Sequence, residues 1–267
     1  MNQTFPLQKV VKRVLIPSLH DGTRLEARVS YWRNENVDIG EQRSVKAVII
    51  SHPYGPVGGN YYNNVVVTIE SFFLTRGYLT IAFNFRGVGN SKGRTSWSGE
   101  PESGDYKSMI EFLSNSGRVG VDIIMEIPKI SDLTVIGYSY GSLIASTMAS
   151  TSPPFPTCYI LVSYPLSVTW LLTFFRSSVY SNHIKSMIAS NARVLFIYGD
   201  YDQFTRLGRY RQWVRENNLD ENPRWTVKEL KGTDHFYVTR TMEDSLCEVL
   251  KGWVDEELNG DKVVVNN

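Results

Sequence analysis

The sequence predicts one α/β domain, in which a mainly parallel, twisted β-sheet of about eight strands carries helices on both faces. Short β-branched or aromatic segments alternate with amphipathic helical segments along most of the 267 residues. Apolar residues make up 42% of the chain and charged residues 21%, a balance that supplies enough apolar surface for a sizeable core. Because α/β chains of this length often fold as one unit, we expect a single domain over residues 1–267.

The first elements are predicted to be an antiparallel pair of strands, residues 10–18 and 23–32, because the turn His20-Asp21-Gly22 contains residue types that tolerate positive φ. Residues 45–51 are almost continuously apolar, as expected for a strand that is buried on both faces. The further predicted strands are residues 79–85, 133–137, 159–163, 194–198 and 225–230, and the predicted helices are residues 63–76, 106–113, 142–148, 207–215 and 241–258.

One interval interrupts this alternation. Residues 165–191 separate two strands by more chain than a simple crossover needs, and they contain Trp170, Phe174 and Phe175. The aromatic rings either pack on the sheet as part of a thick crossover helix or belong to a minimal cap that walls a substrate pocket. Residues 260–267 follow the last apolar helix with Gly, Asp and Lys, and we expect this tail to fray.

Composition excludes several function classes. The formal net charge is +1, which lacks the clustered basic excess that nucleic-acid binding requires. The N-terminus has no apolar core and cleavage site of a signal peptide, and no segment approaches the roughly 18–20 apolar residues that span a bilayer. The two cysteines, Cys158 and Cys247, form no metal spacing or disulfide framework. We therefore expect a cytoplasmic protein with no nucleic-acid partner and no stable membrane insertion.

The segment Gly137-Tyr138-Ser139-Tyr140-Gly141 has the spacing of a nucleophile elbow. A G-x-S-x-G match is weak by itself, but here an apolar strand precedes it and a helical segment follows it. The serine of such an elbow lies on a tight, strained turn, where a Cβ two positions before or after it would collide with neighbouring backbone. The sequence therefore predicts Ser139 as a nucleophile.

A nucleophilic serine needs a base, and the chain has four histidines. His20 lies in the first hairpin turn and His183 in the polar half of the interval 165–191, so we expect both to be solvated. His52 ends a strand, where we expect it to brace the following loop through a hydrogen bond. His235 follows the last predicted strand, at the carboxyl edge where open α/β sheets carry their sites. His235 is therefore the predicted base.

The imidazole needs an acid partner, and the loop after residues 194–198 offers Asp200 and Asp202. We choose Asp202 because it lies farther out on the loop, whereas Asp200 is better placed to bond backbone amides at the turn. The chain order Ser139, Asp202, His235 is the one expected for this fold.

Two backbone amides are expected to stabilise the oxyanion of such a reaction. One belongs to the residue after the nucleophile, Tyr140, and the other to the loop after the third strand. Pro53 and Pro56 in that loop have no N–H, which leaves Tyr54 or Gly55 as the second donor.

No cofactor or metal is predicted. The glycines of residues 87–93 lack the G-x-G-x-x-G spacing of a dinucleotide site and open no immediate helix. The sequence also contains no P-loop, no HExxH and no cluster of His and Cys residues.

The sequence resembles the small, lidless members of the α/β-hydrolase superfamily, whose third-strand loop carries a His-Pro motif followed by Gly-Gly and Asn. This resemblance implies a catalytic triad of Ser139, Asp202 and His235, with Tyr54 and Tyr140 as oxyanion donors, and it implies ester hydrolysis. The chain departs from the family pattern by inserting the aromatic residues 170–175 after a strand. The segments that carry the resemblance are residues 52–60, 84–91, 137–141, 199–204 and 234–236.

The leading hypothesis is a serine hydrolase that cleaves a small-molecule carboxylic ester or thioester through an acyl-serine intermediate on Ser139. Trp170, Phe174 and Phe175 are predicted to line the substrate pocket, and they favour an acyl chain or an aromatic ester. One alternative is a serine peptidase of aminopeptidase type, because amide and ester cleavage share this machinery. The other is a non-catalytic ligand-binding protein, since a fold alone does not establish a function.

Overall fold

A computed structural model describes residues 7–119 and 122–264. Its main sheet has eight strands in the order β1-β2-β4-β3-β7-β8-β9-β10, and a two-residue pair, β5 and β6, forms a separate small ladder. The strands are β1 (Leu7–Pro17), β2 (Arg24–Asn34), β3 (Val45–Ser51), β4 (Leu79–Phe83), β5 (Arg118–Val119), β6 (Asp122–Ile123), β7 (Ile130–Tyr138), β8 (Thr157–Val162), β9 (Arg193–Tyr201) and β10 (Trp225–Asp234).

The sheet is parallel except for β2, which is antiparallel to both of its neighbours, β1 and β4. The other six strands of the main sheet, in the order β4-β3-β7-β8-β9-β10, all pair in parallel. Their carboxyl ends therefore lie at one edge of the sheet, which we call the carboxyl edge. The predicted fold class is confirmed.

Helices cover both faces of the sheet. Buried side chains of α1 and α7 pack on one face, and those of α2, α3, α5 and α6 pack on the other. The two resulting cores explain why the central strands are apolar along their whole length. The helices are α1 (Asn64–Leu74), α2 (Glu100–Ser114), α3 (Tyr140–Thr147), α4 (Thr169–Leu172), α5 (Ser177–Ala189), α6 (Leu207–Glu216) and α7 (Arg240–Val264), with short 3-10 turns at Ile39–Glu41, Gly55–Val57 and Met148–Thr151.

The interval 165–191 contains two helices rather than one thick crossover helix. α5 buries Tyr180, Ile184 and Met187 against α3 and the turn that follows it. The shorter α4 lies before it and buries Thr169.

The small ladder and the end of the chain differ from what the sequence predicts. The small β5–β6 ladder was not predicted, because strands of two residues carry no readable periodicity. The tail was predicted to fray from residue 260, whereas α7 continues to Val264. Residues 265–267 of that predicted tail lie outside the described residues.

Within residues 7–119 and 122–264, no helix is both long and apolar enough to cross a membrane.

Candidate active site

Ser139 lies on the sharp turn between β7 and α3. Its backbone has φ 55° and ψ −120°, a conformation that L-residues rarely adopt. Its amide donates a hydrogen bond of 2.9 Å to the carbonyl oxygen of Val162 on the neighbouring strand β8. The turn is therefore held by the sheet and presents the side chain of Ser139 at the carboxyl edge.

The two glycines of the motif allow this turn because backbone passes close to both. A Cβ at Gly137 would overlap the carbonyl oxygen of Gly141. A Cβ at Gly141 would lie 2.6 Å from the carbonyl oxygen of Ser51 and 2.7 Å from that of His52, distances that real Cβ atoms do not adopt. The sequence motif thus has the steric reason that was predicted for it.

His235 follows β10 directly and contacts the serine. Its Nε2 lies 2.9 Å from the Oγ of Ser139, and its Nδ1 lies 2.7 Å from Oδ2 of Asp202. Because the carboxylate accepts, Nδ1 carries the proton and Nε2 is left to accept from the serine hydroxyl. The three side chains form a continuous hydrogen-bonded series.

Asp202 lies just beyond β9 and is held from several directions. Its Oδ1 accepts hydrogen bonds from the amides of Phe204 (2.9 Å) and Thr205 (2.8 Å), and its Oδ2 accepts from the hydroxyl of Tyr210 (3.2 Å) as well as from His235. These donors hold the carboxylate in a fixed orientation beside His235.

Asp200 has the other role. Its Oδ1 accepts a hydrogen bond of 3.2 Å from the amide of Thr233 on β10. The structure therefore places Asp202 beside the histidine and Asp200 on the backbone, as the loop positions predicted.

The structure separates the other three histidines from the serine. His20 is exposed, and His183 lies 3.1 Å from the hydroxyl of Ser150. His52 is completely buried, and its Nε2 accepts a hydrogen bond of 3.0 Å from the amide of Phe85 while its Nδ1 contacts the carbonyl oxygen of Pro53. Burial lowers the pKa of His52 to about 4, so its imidazole is neutral. The bracing role predicted for His52 is confirmed.

The predicted oxyanion donors lie on two segments that contact each other. Tyr54 precedes the 3-10 turn Gly55–Val57, and Tyr140 is the first residue of α3. Their rings meet edge to face, with centroids 5.2 Å apart. Neither backbone amide donates a hydrogen bond to another described residue, so both remain available to a ligand. Their role as donors stays a prediction.

Sequence reasoning missed the residues that hold the triad in place. The hydroxyl of Tyr138 donates a 2.6 Å hydrogen bond to the carbonyl oxygen of His235, and the amide of His235 donates to the side chain of Gln203 at 2.9 Å. Tyr210 bridges the carbonyl oxygen of Tyr164 and Asp202. The only feature of the sequence that could have indicated these supporting residues was their position close to the motifs along the chain.

Trp170, Phe174 and Phe175 do not fill the core. They lie on or just after α4, and all three side chains are exposed. The alternative in which these rings pack on the sheet is therefore wrong, because α4 turns them outward. Whether they contact a substrate stays a prediction.

The described part of the chain contains no group of three or more His, Cys, Asp or Glu side chains that could hold a metal ion.

Known proteins resemble this chain in both sequence and fold. The family model of X-Pro dipeptidyl-peptidase (S15 family) matches residues 21–170, which is more than half of the chain and includes Tyr54 and Ser139. An uncharacterized protein of Rickettsia prowazekii is 22% identical over 223 residues, covering 83% of this chain and 81% of its own length.

Solved structures share the fold at low sequence identity. An alpha-beta serine hydrolase homologue from Coxiella burnetii superimposes with a TM-score of 0.65 at 22% identity, covering 90% of this chain and 95% of that one. Est1E from Butyrivibrio proteoclasticus, solved with ferulic acid bound, has a TM-score of 0.68 at 14% identity and covers 90% of this chain and 97% of its own. Together with the extent of the family match, these findings show that the chain belongs to the X-Pro dipeptidyl-peptidase (S15) family, within the α/β-hydrolase superfamily.

Proposed function

We propose that the protein is a serine hydrolase that cleaves a carboxylic ester or thioester through an acyl intermediate on Ser139. The observation that carries the proposal is the continuous hydrogen-bonded series from Asp202 through His235 to Ser139, with distances of 2.7 and 2.9 Å. A serine hydroxyl is a weak nucleophile unless such a base takes its proton. The strained backbone of Ser139 supports the same role, because conformations of this kind persist where surrounding structure holds a functional group in place.

In the proposed acylation, Nε2 of His235 takes the proton of Ser139 as Oγ forms a bond to the carbonyl carbon of the substrate. The carbonyl electron pair moves to its oxygen, to which we expect the amides of Tyr54 and Tyr140 to donate hydrogen bonds. Collapse of this intermediate breaks the bond to the leaving alkoxide or thiolate, which receives the proton from His235. Asp202 stabilises the imidazolium while it carries that proton.

Deacylation repeats these steps with water. His235 takes a proton from the water, whose oxygen attacks the acyl carbon, and then returns a proton to Oγ as the acid product leaves. The amino end of α3, which begins next to Ser139, favours the developing negative charge in both halves of the reaction.

The substrate class we propose is an ester with an apolar or aromatic acyl group. Trp170, Phe174 and Phe175 are exposed on or just after α4, in the segment that leaves the carboxyl edge after β8, so they would form an open rim rather than a closed pocket. Est1E, which shares the fold, has been solved with ferulic acid, an aromatic acid, bound to it. We place the reaction in the cytoplasm, as the two cysteines and the absence of a disulfide framework in the sequence suggest.

A peptidase is the second candidate, because the matching family model is that of an X-Pro dipeptidyl-peptidase. A dipeptidyl-peptidase recognises a free amino terminus, and a carboxylate partner suits that positive charge. Three segments that leave the carboxyl edge, residues 52–63, 86–99 and 163–191, contain no Asp or Glu. The family match also ends before Asp202 and His235. We therefore rank ester cleavage first.

The test combines covalent labelling with a substrate panel. A fluorophosphonate probe is expected to label the parent protein and to leave the Ser139→Ala variant unlabelled. Absence of labelling in the folded parent would support the non-catalytic alternative, and persistent labelling of Ser139→Ala would show that the nucleophile lies elsewhere. The panel then compares p-nitrophenyl esters of increasing chain length and an acyl thioester with dipeptidyl Xaa-Pro p-nitroanilides. Faster turnover of the anilides than of every ester would replace the esterase proposal with the peptidase.

A further inference from the structure

Five large apolar side chains are exposed together at the carboxyl edge, and we call them the aromatic surface. They are Trp97 (73% exposed), Trp170 (47%), Leu171 (61%), Phe174 (62%) and Phe175 (72%). The four rings form one series, with centroids 6.0 Å apart for Trp97 and Phe174, 5.7 Å for Phe174 and Phe175, and 5.4 Å for Trp170 and Phe175. A contiguous apolar patch of this kind on a water-soluble domain marks a contact site.

The backbone of α4 holds these rings outward. Thr169 and Thr173 are buried, and their hydroxyls donate to the carbonyl oxygens of Pro165 and Thr169, respectively. Phe174 and Phe175 then adopt φ values of 45° and 66°, in the left-handed region that disfavours residues with a Cβ. Two phenylalanines in this conformation, with exposed rings, contribute little to the stability of the folded monomer. Stability therefore does not explain why phenylalanine occupies these two positions.

The aromatic surface lies close to the triad in the topology of the sheet. Trp97 belongs to the segment that follows β4, and the other members belong to the segment that follows β8. Ser139 follows β7, which pairs with β8 and is separated from β4 only by β3. A partner seated on the aromatic surface would therefore face the same edge as the nucleophile.

The charged side chains on the two segments that carry the aromatic surface are all basic. Residues 86–99 and 163–191 contain Arg and Lys but no Asp or Glu. Arg86 is buried in an ion pair with Asp105, whereas Lys92, Arg94 and Arg176 are exposed. Arg176 lies next to Phe175 in the chain and has one acidic neighbour, Glu100, at 3.6 Å. Two exposed arginines therefore adjoin the aromatic surface along the chain, Arg94 three positions before Trp97 and Arg176 directly after Phe175.

We infer that the aromatic surface docks this protein on a lipid surface that carries anionic headgroups. Tryptophan and phenylalanine side chains partition into the boundary between headgroups and acyl chains, and neighbouring Arg and Lys side chains are attracted to anionic lipid. The docking is reversible adsorption, consistent with the lack of a membrane-spanning helix within the described residues. It goes beyond the proposed function, because it concerns where the enzyme works rather than which bond it cleaves.

The test is co-sedimentation with vesicles of phosphatidylcholine, prepared with and without a minority of phosphatidylglycerol. The parent protein is expected to bind the anionic vesicles more strongly, and added salt is expected to weaken that binding. The double variant Phe174→Ser with Phe175→Ser is expected to bind about a hundredfold more weakly, since each ring contributes about a factor of ten when it leaves water.

The matched control is the double variant Val11→Ser with Leu15→Ser. These side chains are 50% and 41% exposed on β1, at the far edge of the sheet, and their removal is expected to leave vesicle binding unchanged. The Ser139→Ala variant is also expected to bind as the parent does, so a failure of the proposed catalysis would not be mistaken for a failure of docking.

Three results would overturn the inference. The first is a parent protein that sediments with neither kind of vesicle, and the second is equal loss of binding in the β1 control. The third is a parent protein that binds no vesicles and is dimeric in solution, whereas the Phe174, Phe175 double variant is monomeric. The aromatic surface would then be the contact between two copies of this chain.

Discussion

The triad and the aromatic surface occupy the same edge of the sheet but are built in opposite ways. Ser139, Asp202 and His235 are at most 7% exposed, and each is hydrogen-bonded to the next. The members of the aromatic surface are 47–73% exposed, and its four rings contact one another. Contacts within the fold therefore fix the three triad side chains, whereas the aromatic rings are left largely uncovered in the monomer. We therefore expect substitutions in the two regions to affect different properties of the protein and to have effects of different size.

The largest effect is expected at the acid of the triad. Asp202→Asn replaces the acceptor beside Nδ1 of His235 with an amide and disfavours the tautomer that the base needs, so kcat for ester hydrolysis should fall by about ten-thousandfold. Asp200→Asn is the matched control, because Asp200 accepts a hydrogen bond from the backbone amide of Thr233 rather than from His235, and its kcat should stay within a few-fold of the parent. Steady-state kinetics on one ester decides this prediction. Comparable losses in both variants would mean that the aspartates share the role.

A smaller effect is expected at the buried brace, His52. Its pKa is lowered by burial to about 4 from an ordinary value of 6.5, so the unfolded chain binds its proton more readily than the folded protein does. The resulting stabilisation is complete above pH 6.5 and is lost as the pH falls through about 4, a change of roughly 3 kcal/mol. Urea unfolding across this pH range should show the slope of the free energy of unfolding against pH, and we expect the same slope in the parent and in His20→Gln. The slope should be reduced in His52→Gln, and an unchanged slope there would refute the assignment.

An added methyl group at a glycine of the nucleophile elbow should lower the stability of the protein. In Gly141→Ala the new Cβ would press on carbonyl oxygens of Ser51 and His52, and we expect a loss of about 1–3 kcal/mol in the free energy of unfolding. Gly208→Ala is the control, because no atom lies within 4 Å of its Cβ and it is part of α6. That change should raise stability by up to about 1 kcal/mol. Thermal unfolding of both variants checks the pair, and equal effects would remove the steric argument.

The smallest effect is expected on the aromatic surface. Phe175 has a φ of 66° and an exposed ring, so Phe175→Gly should be more stable than Phe175→Ala by about 1 kcal/mol. Both variants remove the ring, but only glycine adopts the positive φ at this position without strain. Denaturant unfolding measures this difference. A more stable alanine variant would show that the backbone at this position is not strained.

The fold and the triad could be predicted because their signals are local. Apolar strands that alternate with helices imply a parallel sheet, and such a sheet brings the residues after its strands to one edge. That rule was sufficient to group Ser139, Asp202 and His235. The choice of Asp202 over Asp200 also followed from position along a single loop.

Other features depend on distant neighbours and could not be predicted. Tyr138, Gln203 and Tyr210 support the triad through side-chain contacts that no short motif encodes. The aromatic residues 170–175 have the composition of a core segment, and only the packing of α4 shows that they face outward. Sequence patterns describe which residues are apolar, but tertiary structure decides which of them are covered.

The hydrogen bond between Ser139 and His235 joins residues that are 96 positions apart in the chain. During synthesis the serine therefore leaves the ribosome long before the imidazole that contacts it. Until β10 has joined the sheet, the nascent chain carries an ordinary alcohol at this position. Under the proposed function, reactivity at Ser139 would therefore report that β10 has been added to the sheet, and a chain that stops short of β10 would retain the motif without its chemistry.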